Sequence, residues 1–187
     1  TPFYVLGEEN NYTYDNVNFS VSFQGGSPQG IFFNSSGTKM YIVEAGILAG
    51  SEAIHQYTLS QAWNLSTASY DDVNFSVFSQ DGDPSGGFLN TSGTKMYMIG
   101  FGNDMVHQYT LSQAWNLSTA SYDDVNFSVS AQDNTPEGIF FNSTGTKMYM
   151  VGFTGKAVYQ YTLSQAWNIS TASYDDVNFS VGSQDAS

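Results

Sequence analysis

The chain of 187 residues carries 17 acidic residues against four lysines and no arginine, a net charge of −13, so it offers no basic cluster for nucleic acid or an anionic membrane surface. With 41% hydrophobic and 16% aromatic residues it has the composition of a folding chain rather than a disordered one. It has no cysteine, which excludes disulfides and thiolate metal sites, and no run of about eighteen apolar residues, so no membrane insertion is expected.

Taken in order, the chain opens with Phe3-Tyr4-Val5-Leu6 and then Val17 to Ser22, which read as two strands. Three longer units follow, each with four short segments rich in β-branched and aromatic residues and bounded by Gly, Pro, Asn, Asp and Ser. In the first unit these are Gly30 to Phe33, Lys39 to Val43, Ile54 to Leu59 and Val73 to Val77. Asn34-Ser35-Ser36-Gly37 forms a short hairpin turn between the first two, with Gly37 available for positive φ. A longer connection containing Trp63 leads into the fourth segment, whose Val73, Phe75 and Val77 share one face.

The pattern recurs at fixed spacing. The stretch from Tyr57 to Val77 returns unchanged from Tyr109 to Val129, and again from Tyr161 to Val181 with Ile169 in place of Leu. Val-Asn-Phe-Ser-Val recurs at 17–21, 73–77, 125–129 and 177–181, a period of 56, 52 and 52 residues. Four antiparallel strands per unit of 52–56 residues predict an all-β fold of β-propeller-type blades. The expected division is a partial blade over 1–27 and full blades over 28–83, 84–135 and 136–187. About three and a half blades are too few for this chain to close a ring alone, so it is expected to associate with copies of itself or to belong to a longer array.

The sequence Phe-Phe-Asn-Ser-Ser-Gly-Thr-Lys-Met-Tyr-Ile-Val at 32–43 resembles the first hairpin of YVTN-type β-propeller repeats, a family of prokaryotic and viral surface proteins. Where that family usually has Pro-Asp-Gly, this chain has Ser35-Ser36-Gly37, Thr91-Ser92-Gly93 and Ser143-Thr144-Gly145. The departure creates an Asn-x-Ser/Thr acceptor at each hairpin.

Such acceptors fall at Asn11, Asn18, Asn34, Asn64, Asn74, Asn90, Asn116, Asn126, Asn142, Asn168 and Asn178, eleven of the fifteen asparagines. A surplus of this kind predicts covalent N-glycans on an extracellular or cell-surface protein. The competing reading is that Asn and Ser are simply good turn residues. Differences between copies concentrate in the link from second to third strand and in the link between blades, which a meandering sheet places at one end. The hairpin and the Trp loop lie at the other. The longest variable loop carries Ile47 and Leu48, expected to contact a neighbouring subunit.

No catalytic set is expected: there is no nucleophile–base pairing, no phosphate-cradling loop, and near copies rarely supply an asymmetric site. The chain therefore reads as no enzyme, with no cofactor and no metal. His55 and His107 are matched by Tyr159 in the third unit, and paired aspartates such as Asp71-Asp72 read as turn residues before Ca2+ ligands. Trp63, Trp115 and Trp167 read as packing residues before sugar platforms. The resulting expectation is a self-assembling extracellular structural protein forming a surface polymer or filament. A carbohydrate-binding or adhesion module and a virion appendage stand as alternatives.

Overall fold

The structure, a computed structural model, describes residues 14–183. It is all-β, with three four-stranded antiparallel sheets in simple meander order. The first contains β1 (Pro28–Phe33), β2 (Lys39–Glu44), β3 (Ala53–Leu59) and β4 (Ala68–Ser76). The second contains β5 (Pro84–Leu89), β6 (Lys95–Gly100), β7 (Met105–Leu111) and β8 (Ala120–Ser128). The third contains β9 (Pro136–Phe141), β10 (Lys147–Gly152), β11 (Ala157–Leu163) and β12 (Ala172–Ser180). These are β-propeller-type blades, and among the described residues no sheet closes on itself. The expected strand at 3–6 and the acceptor Asn11 lie outside the described residues.

Two features differ from the sequence expectation. The outer strand β4 starts at Ala68 rather than Val73, directly after a 3-10 turn at Leu65–Thr67 capped by the Asn64 side chain. It looked shorter because a β-bulge interrupts its alternation: Tyr57 pairs with Tyr70 and Gln56 with Val73, which leaves Asp71 and Asp72 extruded between them, Asp72 at φ 56°. Val17 to Ser22 forms no ladder among the described residues, although Phe19 meets Tyr57 edge-on with ring centroids 5.6 Å apart. Phe75 meets Tyr109 and Phe127 meets Tyr161 in the same way. The segment thus occupies the place of a fourth strand against the first blade.

The core lies between blades rather than within them, because a lone sheet buries nothing on its faces. Tyr41, Val43 and Ile54 of the first blade pack with Met96, Met98 and Tyr109 of the second. Tyr97, Ile99 and Val106 of the second pack with Phe141, Met148 and Tyr161 of the third. The inner strands approach so closely that a Cβ on Gly30 would lie 2.7 Å from the Ser85 carbonyl oxygen, and one on Gly86 2.8 Å from that of Glu137. Glycine is required there by the neighbouring backbone.

Candidate functional site

Two regions carry recurring chemistry, and the first is a polar knot at each blade's outer edge. The bulge turns Asp71 inward, where it accepts hydrogen bonds from Lys39 Nζ at 2.7 Å and Gln56 Nε2 at 2.8 Å. Lys39 also donates to Thr58 at 2.6 Å. The same four residues recur as Lys95, Gln108, Thr110 and Asp123, and as Lys147, Gln160, Thr162 and Asp175. Burial opposes ionisation of Asp71 and Asp123, but the Lys, Thr and Gln donors outweigh it and hold both below the usual carboxylate range. At Asp175 the Lys147 hydrogen bond leads and brings the carboxyl down to about 2.

The knot also joins blades. Gln56 Oε1 accepts from Leu117 N–H at 2.7 Å, and Gln108 Oε1 from Ile169 N–H at 3.1 Å. Beside these bonds the Tyr41 hydroxyl donates to the Trp115 carbonyl at 2.7 Å, and Tyr97 to that of Trp167 at 2.6 Å. The first and second blades therefore each present one acceptor and one donor to the Trp loop of the next.

That loop is built for the purpose. Trp63, Trp115 and Trp167 adopt positive φ, and each backbone N–H donates to the hairpin glycine carbonyl at 2.9 Å. Each indole lies over that glycine, where any Cβ would collide with it. The tryptophans thus brace loop to hairpin, and the carbonyls of Trp115 and Trp167 serve the preceding blade.

The acceptor asparagines divide by environment. Asn34 and Asn90 are buried, and their Oδ1 atoms receive two backbone N–H groups each across the hairpin. Asn34 Nδ2 is itself bound to Ser36 and Thr38. Asn142 repeats the brace in a more open setting. Asn64, Asn116 and Asn168 are half-buried caps whose Nδ2 atoms donate to Gln61, Gln113 and Gln165. Asn18, Asn74, Asn126 and Asn178 are exposed, the last three on the outer strands.

At the opposite end a carboxylate ties the two variable loops of each blade. Asp81 accepts from the backbone of Asp83 at 2.8 Å and Gly102 at 3.1 Å, and Asp133 from Thr135 at 2.9 Å and Gly155 at 2.6 Å. In the first blade Gly25 stands at the Asp position, and Glu44, at the position of Gly100 and Gly152, supplies the carboxylate to Ser27 N–H. The exchange of acid and glycine between these two positions is the signal in the sequence for the brace. Ile47 and Leu48 are exposed here and line a shallow groove with Phe23, at the loop end rather than on a blade face. Among the described residues no group of three His, Cys, Asp or Glu is placed to hold a metal.

No protein-family model matches the sequence, and no curated protein matches it. Solved structures do share the fold. A functionally unknown protein from Desulfotomaculum acetoxidans is 13% identical with a TM-score of 0.56, over 83% of this chain and 43% of that one. The periplasmic gluconolactonase of Pseudomonas aeruginosa is 11% identical with a TM-score of 0.53, over 77% of this chain and 38% of that one. A chain of the nidogen/laminin complex is 12% identical with a TM-score of 0.51, over 81% of this chain and 50% of that one. The chain thus spans from 38% to 50% of the length of these propeller-like proteins. They correct one expectation. The sequence reads as no enzyme because its repeats offer no asymmetric catalytic set, yet a chain of the same fold is named as a gluconolactonase. Repetition of blades is therefore no argument against catalysis.

Proposed function

We propose that this chain is an extracellular structural repeat protein of YVTN type, N-glycosylated along its outer rim and self-assembling through its blade faces into a surface polymer. The observation that carries the reading is the exposed register of Asn18, Asn74, Asn126 and Asn178, one acceptor per copy of Val-Asn-Phe-Ser-Val, the last three on the solvent-exposed outer strands. The Nδ2 atoms of Asn18, Asn126 and Asn178 donate to the Tyr14, Tyr122 and Tyr174 hydroxyls at 3.5, 3.3 and 3.3 Å, and an N-linked saccharide leaves one amide hydrogen for that bond. Glycans would also keep in solution a polar surface with only four lysines.

The same geometry assigns the hairpin acceptors Asn34 and Asn90 a bracing role, because a glycan on their buried amides would break the turn that seats the tryptophan. Peptide mapping of native material, after enzymatic glycan release in heavy-oxygen water, tests the reading. Labelled aspartate is expected at 18, 74, 126 and 178 and not at 34 or 90. A native mass equal to the bare polypeptide would overturn it.

A further inference from the structure

The blade-to-blade contact recurs from first to second and from second to third blade with the same residues in the same roles, and among the described residues the third blade's outer face has no such partner. In the second blade Tyr97, Ile99 and Val106 are fully buried beneath the third. Their counterparts in the third blade, Tyr149, Val151 and Val158, face outward, with Val151 36% exposed. Phe140 is 60% and Phe179 70% exposed, where Phe88 and Phe127 are half-buried. Phe140, Tyr149, Val151 and Val158, with Gly138 and Ile139, line an open apolar hollow. Gly138 retains the glycine that Gly30 and Gly86 need against a neighbouring backbone, although only Val151 of its own sheet stands before it.

The first blade presents the matching half. Met40, Tyr57, Leu59 and Leu65 hold the positions by which the second and third blades seat on their predecessors. Leu65 is half-buried where Leu117 and Ile169 are fully buried, and Trp63 is 63% exposed. We infer that the open face of the third blade is a socket for the first blade of a second copy of this chain, docked head to tail in the register of the internal blades. This rests on the self-assembly proposed above and names its contact. The Tyr149 hydroxyl would donate to the Trp63 carbonyl of the second copy, and Gln160 Oε1 would accept from its Leu65 N–H. These repeat the bonds made by Tyr97 and Gln108 within the chain.

Continuity with two existing contacts of this design, down to the Lys147–Asp175–Gln160 knot that repeats Lys95–Asp123–Gln108, favours a second copy over an unrelated partner. Docking has one further requirement. Phe19 already holds on Tyr57 the place that Phe75 holds on Tyr109. Phe179 of the incoming socket takes that place, so the segment at 17–21 must yield to the identical pentapeptide at 177–181. The exchange swaps like for like, and it is eased because the displaced segment makes no ladder among the described residues.

The test uses the full chain with one charge on either face, at side chains already exposed: Phe140→Asp on the socket and Ile31→Asp on the plug. By mass photometry and sedimentation the wild type is expected to form dimers or larger species, and each variant alone to be monomeric with an unchanged circular dichroism spectrum. A one-to-one mixture should give dimers and nothing larger, because each variant keeps one live end. Phe19→Ala should tighten wild-type association about tenfold, equivalent to roughly 1.4 kcal/mol. A monomeric wild type, a mixture no more associated than its parts, or weakened association on Phe19→Ala would overturn the inference. Glycosylated native protein that stays monomeric would remove the socket and leave the glycoprotein reading standing; mixed dimers from an unglycosylated protein would do the reverse.

Discussion

Gln108 makes two bonds at once, donating to Asp123 at 2.8 Å and accepting from Ile169 N–H at 3.1 Å. Truncation to Ala leaves a buried backbone N–H without a partner, which costs about 1–3 kcal/mol. Gln160 keeps the bond to Asp175 but meets no backbone counterpart among the described residues. In dilute monomer, Gln160→Ala is therefore expected to cost under about 1 kcal/mol, and urea denaturation of the two variants reads the difference. His107 offers a second residue-scale test. Burial pushes its pKa down to about 4, so the folded state holds it neutral where the unfolded chain, near 6.5, takes up a proton. Its contribution to stability is complete above pH 6.5 and is lost as pH falls toward 4, by about 2 kcal/mol at pH 5. Burial lowers His55 as well, with Glu44 opposing, so one substitution removes only part of the effect. The third blade carries Tyr159 at this position. His107→Tyr is expected to flatten the fall in urea midpoint between pH 7 and 5; an unchanged slope would place the sensitivity elsewhere.

At the scale of elements, each hairpin turns on one glycine. Gly93 sits at φ 71°, with the Trp115 indole where a Cβ would go. Gly93→Ala meets both the left-handed backbone penalty and the ring, and a loss of about 2–4 kcal/mol is expected in thermal or urea unfolding. Gly82→Ala, in the inter-blade link with nothing within 4 Å of its Cβ, should fall within about 0.5 kcal/mol of wild type. The hairpin glycine was legible in the sequence, as were the inner three strands, because alternating apolar residues and flanking turn residues mark them directly. The bulge was not, since Asp71-Asp72 interrupts the period of two and hides the first half of β4. The polar knot was hidden for a different reason. Lys39, Gln56, Thr58 and Asp71 come from three strands and converge only through that bulge. The hairpin acceptors also looked alike in sequence, and only burial separates Asn34 from Asn74.

For the whole molecule, the core between blades makes stability a matter of neighbours. The second blade is covered on both faces, so Tyr97, Met98 and Ile99 of β6 and Tyr109 of β7 are all fully buried. The third blade is covered on one face only, and its β12 is paired to β11 alone with Phe179 and Val177 outward. Unfolding should therefore begin at the third blade and reach the second last, even though the two share nearly all of their sequence. Native-state hydrogen exchange resolves this, because amides in β6 and β7 report the largest opening free energy while those in β10 and β11 open through a smaller unit. At concentrations where copies associate, protection of β10 and β11 should rise toward that of β6 and β7, as the socket fills and the third blade becomes an internal one. Equal protection of all three blades in dilute monomer would mean that the array unfolds as a single unit and that the open face carries no energetic deficit.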